Sequence, residues 1–150
     1  MTKPIKKILY ATDYSKASGR ALDEAVNLAT RYDAELLVLH VIEPVTTYVT
    51  GEDFGSAGLY MKLEDATKRE AEVSMQKLMG KLQKSKVRAK SLLLKGTPHD
   101  QIVKAAKSRN ADMIVIGTHG RTGLSKLFMG SVAGKVVSTA ICPVLTVRGR

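Results

Sequence analysis

MIVIGTHGRTGLSKLFMGS, residues 113–131, passes from a short apolar run into a glycine-rich segment and closes on a Gly-Ser pair. The run MIVIG at 113–117 is continuously apolar, which predicts a strand covered by helices on both faces. After the pair, VAGKVVST resumes helical spacing and predicts a helix from about Ser131 to Thr139. The glycine-rich piece is therefore a strand-to-helix connection. Glycines there let the backbone take positive φ and let a ligand approach main-chain N–H groups with no Cβ in the way. Amides in such a turn, followed by a helix N-terminus with its partial positive charge, form an anion site suited to phosphates. Ser131 adds a hydroxyl donor at that terminus.

Working outward, four more runs rich in Ile, Val and Leu fall at 5–11, 35–42, 87–95 and 144–148, and they alternate with segments of helical character. That alternation is the signature of βαβ units and predicts an α/β fold built on a parallel sheet, as one domain over 1–150. Ala21, Leu22, Ala25, Val26 and Ala29 form an apolar stripe behind serines able to cap a first helix. Leu63, Ala66, Val73, Leu78 and Leu82 recur on one side of a long charged segment at about 61–83, with Met75 and Met79 read as core. Thr97-Pro98-His99-Asp100 supplies a cap, an N1 proline and a first-turn acid to a third helix reaching about Ser108. The stretch 43–60, with Gly51, Gly55 and Gly58 among polar residues, reads as a mobile loop or lid. A ligand is expected beyond the C-terminal ends of the strands, at a topological switch point.

The chain has 150 residues, 44% hydrophobic and 25% charged, and a domain of this length buries about 68–70% of its unfolded surface. Such a core needs no staples. The single cysteine, Cys142, has no intrachain partner and reads as a small buried hydrophobe. No apolar run approaches the roughly 18 residues of a membrane span, and no signal-peptide pattern is present, so the expectation is a soluble cytoplasmic protein without membrane contact. A net charge of +10 raises the question of a polyanionic partner. The cations are spread along the chain, and the densest stretch, 81–90, lacks an aromatic on which a base could stack, so nucleic acid is disfavoured.

Gly117, two residues, Gly120, nine residues, then Gly130-Ser131 matches the G-x2-G-x9-G-[S/T] loop of the universal stress proteins. The likeness extends to ILYATDYSKAS at the first strand and turn, LLVLHVIEP at the second strand, and GSVAGKVVSTAICPVLTVR at the last helix and strand. The chain resembles that family over nearly its whole length. The resemblance implies a Rossmann-like, open five-stranded sheet in the order 3-2-1-4-5. It also implies a stress-response or regulatory protein that binds ATP, with Mg²⁺ as a companion on the phosphates. Carried over position by position, it places phosphate contacts at Gly117, Gly120, Gly130 and Ser131, a ribose contact at Asp13, and a main-chain adenine contact at Val41. Ala11, Thr12 and Val132 complete the implied nucleotide site; His119, inside the loop, suits a place near the phosphates and equally a structural or solvent-facing one. Relatives pair the last strand across a two-fold axis, implying a homodimer through 144–148; the downstream protein partner is not named by the sequence.

Other readings of the same residues remain open at this stage. Asp13 also suits a turn after a strand, and His40, on a buried strand, suits a satisfied core position. Tyr14 stands where many relatives carry a smaller residue, which would alter the rim of the pocket. Arg121 and Lys126 lie inside the loop, where they would either screen phosphate charge or be solvated. No histidine has partners at metal-ligand spacing, and no Ser-His-Asp or Cys-His arrangement or Walker lysine is present, so turnover is expected to be slow. A slow ATPase or phosphotransfer enzyme using the same pocket is the first alternative, and a basic nucleic-acid or protein-binding scaffold the second.

Overall fold

Each buried strand has two faces to cover, and the helices of the chain divide evenly between them. The computed structural model describes residues 3–45, 57–119 and 129–149. Its strands are β1 (Lys7–Ala11), β2 (Glu35–Ile42), β3 (Ala89–Lys95), β4 (Met113–Gly117) and β5 (Val144–Val147). Its helices are α1 (Lys16–Tyr32), α2 (Ala57–Leu82), α3 (Pro98–Ser108) and α4 (Ser131–Thr139). The five strands form one parallel sheet in the order β3-β2-β1-β4-β5.

Side-chain alternation along the strands sorts the core into two layers. Leu9, Leu37, Leu39, Val41, Ile114 and Ile116 face α3 and α4, meeting Ile102, Ala105, Ala133 and Val136. Ile8, Tyr10, Leu36, Val38 and Val115 face α1 and α2, meeting Ala21, Ala25, Ala29 and Met75. The alanine stripe of α1 lets that helix approach the sheet closely, and Met75 and Met79 pack as core. Tyr10 is buried at the centre, where its hydroxyl donates to the Ser18 carbonyl at 2.6 Å. Burial pushes its phenol pKa up, against hydrogen bonds with Thr12 and Ser18 that pull it down.

Local chemistry fixes most of the ends. Ser15 caps α1, its side chain accepting from the Ser18 amide at 3.2 Å, and Asp33 closes that helix in the left-handed conformation, φ 52°. Pro98 occupies the first turn of α3, while the Thr97 side chain makes no capping bond. Four further expectations need correction. β1 starts at Lys7, two residues into the run at 5–11, where pairing with β2 begins. The loop read over 43–60 gives way to α2 at Ala57, so Gly58 and Tyr60 are helical; Gly51 and Gly55 lie outside the described residues. β3 starts at Ala89, two residues late, because only from there does the main chain pair residue by residue with β2. Cys142 is half-buried, packed against the α3–α4 layer, and burial raises its thiol pKa.

Candidate functional site

After β1 the chain turns to one side of the sheet and after β4 to the other, which opens a crevice between their C-terminal ends. A cavity of about 380 Å³ occupies that crevice. Ala11, Thr12, Asp13, Val41, Gly117, His119, Gly130, Ser131 and Val132 all line it. Gly120, Arg121 and Lys126 lie outside the described residues.

The β1 side of the cavity is a tight turn held by its own side chains. The Asp13 carboxylate accepts from the Ser15 amide at 2.9 Å, and the Tyr14 amide donates to the Thr12 hydroxyl at 2.9 Å. Asp13 is therefore both the turn-former and a cavity wall. Tyr14 sits at φ 65°, a left-handed conformation uncommon for a bulky residue. Its hydroxyl donates to the Ala71 carbonyl of α2 at 3.0 Å, and its ring leans on His40 with centroids 4.3 Å apart. The His40 Nδ1 lies 2.8 Å from the Thr12 carbonyl and so carries the proton of that bond. His40 is thus a satisfied residue of β2, as expected, and at the same time part of the cavity lining.

The β4 side is built from glycine and helix geometry. The Gly130 amide donates to the Thr118 carbonyl at 2.6 Å, and a Cβ on Gly130 would stand only 2.9 Å from that oxygen. Positive φ is not the reason for this glycine, whose φ is −61°, nor does Gly117 adopt it. Close approach of two backbone segments is what excludes a side chain at 130. Gly130 caps α4 without a side-chain bond, and the first helical bond runs from Gly134 N–H to the Gly130 carbonyl. The amides of Ser131, Val132 and Ala133 thus open the helix with no intrahelical acceptor, at its partially positive end. No acidic residue stands in the first turn of α4 to compete with an anion.

The sequence reading missed the wall contributed by α2, where Thr67, Glu70, Ala71 and Ser74 line the cavity. Pro98 and Ile102 of α3 close it from the other layer. The α2 residues carry no local signal, because they arrive through packing across a long separation in sequence. Among the described residues no three His, Cys, Asp or Glu side chains gather as a metal site.

An open parallel sheet with helices on both faces, a cavity at its switch point and a helix N-terminus opening on that cavity defines an α/β protein of the Rossmann-like class. The family model of the universal stress protein family matches residues 4–148. A universal stress protein of Thermus aquaticus is 43% identical over 143 residues, covering 95% of this chain and 98% of the relative. The solved structure of MJ0577 of Methanocaldococcus jannaschii is 31% identical with a TM-score of 0.84, covering 99% of each chain. A universal stress protein of Archaeoglobus fulgidus, solved in complex with dAMP, shares the fold at 24% identity and a TM-score of 0.65, over 96% of this chain and 98% of that one. The chain belongs to the universal stress protein family.

Proposed function

We propose that the chain binds ATP in the switch-point cavity and serves as a regulatory protein of the stress response. The observation that carries this reading is the meeting of Asp13, at the end of β1, with the Gly130-Ser131 N-terminus of α4 on one cavity of about 380 Å³, within the usual size of small-molecule sites. In this reading the α4 amides and Ser131 hold the phosphates, the Asp13 carboxylate accepts from the ribose hydroxyls, and the Val41 main chain reads the edge of adenine. Gly117 and Gly120 keep the approach to the phosphates open, while Ala11, Thr12, His119 and Val132 complete the walls. Mg²⁺ would ride on the phosphates and water, since the described residues assemble no carboxylate cluster for it. The dAMP complex of the Archaeoglobus fulgidus protein lends the reading support at the level of fold.

A homodimer through β5 belongs to the same proposal. β5 is a sheet edge of Val144, Leu145, Thr146 and Val147 with no lysine, and the exposed Val137 and Ile141 lie close to it in the chain. The opposite edge, β3, carries Lys90 and follows Lys86 and Arg88, charges that discourage pairing with a copy of itself. Among the described residues no helix is long and apolar enough to cross a membrane. Native mass spectrometry of the purified chain tests both parts: a mass excess of ATP or ADP on a dimer is expected, and a bare monomer would overturn them.

A further inference from the structure

A parallel sheet gathers at one end what the sequence scatters. The strands begin at Lys7, Glu35, Ala89, Met113 and Val144 and the helices finish at Tyr32, Leu82, Ser108 and Thr139, all at the end opposite the cavity. Lys6, Arg31, Lys84, Lys86, Arg88 and Arg109 fall at that end, all exposed, from four separate stretches of chain. The main chain holds these stretches side by side. The Leu36 amide donates to the Arg88 carbonyl at 2.8 Å and the Glu35 amide to the Lys6 carbonyl at 2.9 Å, so Arg88 and Lys6 flank the start of β2. At about 4.8 Å between strands, they stand roughly 10 Å apart. The Lys7 ammonium donates to the Arg109 carbonyl at 2.9 Å and ties the end of α3 to the same row.

The carboxylates at this end are already engaged. Asp33 pairs with Arg88 at 3.5 Å, Glu35 with Lys90 at 3.7 Å, and Asp112 with Lys3 at 2.9 Å. No acidic residue occurs anywhere between Glu72 and Asp100, the stretch that supplies Lys84, Lys86 and Arg88. A shallow concavity of about 360 Å³ runs between Thr30 and Asp33 on one side and Ser85, Lys86 and Arg88 on the other. Scatter along the chain, which counted against a polyanion, is not scatter in space.

We infer that this basic end of the sheet is a docking surface for the phosphate backbone of a nucleic-acid duplex. Protein–protein interfaces have an apolar centre and are poor in lysine, whereas nucleic-acid interfaces are more polar and far more positive. Among the described large apolar side chains, Tyr32 and Ile141 are exposed at this end, Tyr32 next to Arg31 and Ile141 between α4 and β5 at the far edge of the sheet. One exposed aromatic does not make a stacking platform for a single strand, so duplex phosphates are the partner that fits. The nucleotide cavity opens at the other end, and the two ligands would bind together.

The test is fluorescence anisotropy of a labelled 20-base-pair RNA duplex with the full chain across a salt series, with poly-glutamate and anionic phospholipid vesicles as separate arms. With Arg88 held by Asp33, phosphate contacts from the other five cations give a log–log slope of about −4.5, a loss of roughly 500-fold in affinity between 50 and 200 mM salt. The variant Lys84→Gln/Lys86→Gln/Arg88→Gln, which leaves Lys6, Arg31 and Arg109, should bring the slope to about −2.7 and cut the salt effect to roughly 40-fold. Its thermal unfolding with and without Mg-ATP reports separately on the fold and the cavity, and is expected to match the wild type. Lys62→Gln/Lys68→Gln, on the first half of α2, should leave duplex binding unchanged. No duplex binding at 50 mM salt, a triple variant with the wild-type slope, loss of binding in the α2 variant, or tighter binding to poly-glutamate or vesicles than to duplex would each overturn the inference.

Discussion

Replacing Gly130 by alanine adds one methyl group at the most constrained point of the cavity. The new carbon would lie 2.9 Å from the Thr118 carbonyl oxygen and 3.6 Å from the His119 Cα, and the 2.6 Å bond from the Gly130 amide to that same oxygen holds the two segments together. Relief requires a backbone shift of several tenths of an ångström, because both contacted atoms belong to the main chain. Overpacking of this kind costs about 1–3 kcal/mol. In a domain of this size each kcal/mol lowers Tm by about 2–4 °C, so the unliganded variant should melt roughly 2–12 °C below the wild type. The same shift moves the first amides of α4, and the stabilisation by Mg-ATP should largely disappear. Thermal unfolding of both proteins, with and without nucleotide, separates the two effects. A variant that melts within about 1 °C of the wild type and keeps the full nucleotide response would refute the close approach and the assignment of α4 to the phosphates together.

Asp13→Asn should weaken ATP more than inorganic triphosphate, since the carboxylate is assigned to the ribose; equal losses in competition titrations would count against that role. Asp112 accepts from the Lys6 and Lys7 amides at 2.9 and 3.0 Å and pairs with Lys3; burial pushes its pKa up, but these partners outweigh it and hold the group below its ordinary value. A depressed folded-state pKa gives stability that is complete above the unfolded value near 3.9 and is lost as pH falls through the folded one. Asp112→Asn should therefore cost about 1–2 kcal/mol at pH 7 and much less at pH 2, read by urea unfolding at the two pH values, and a pH-independent difference would contradict the linkage. If the proposed dimer forms through β5, the wild type should sediment as a dimer at micromolar concentration and Val147→Lys as a monomer, whereas a wild-type monomer or an unaffected variant dimer would exclude β5 as the interface.

The elements with a dense local code were legible in the sequence. Strands 35–42 and 113–117 and helices 98–108 and 131–139 fall where apolar run length, the N1 proline and the Gly-Ser junction put them. Nine of the ten site positions taken from the family likeness line one cavity, because Asp13 lies in the turn just after β1 and Gly117 ends the adjacent strand β4. What escaped is non-local. The start of α2 at Ala57 was hidden by a glycine at 58, which weakens helix propensity without forbidding a helix. Thr67, Glu70 and Ser74 join the site only because α2 packs over β2 and β3, and nothing in their spacing marks them. At Gly130 the residue type was read correctly, but positive φ was not its reason: close contact with the Thr118 carbonyl, twelve residues earlier in the chain, takes the place of the backbone dihedral.

The central claim is that the switch-point cavity binds ATP, and a thermal-shift titration of the wild-type chain with Mg-ATP tests it most directly. Saturation at about a hundred times Kd should add roughly 2.7 kcal/mol of stability. For a domain of 150 residues that is a rise of about 5–10 °C in Tm. An unchanged Tm at millimolar Mg-ATP would contradict the account.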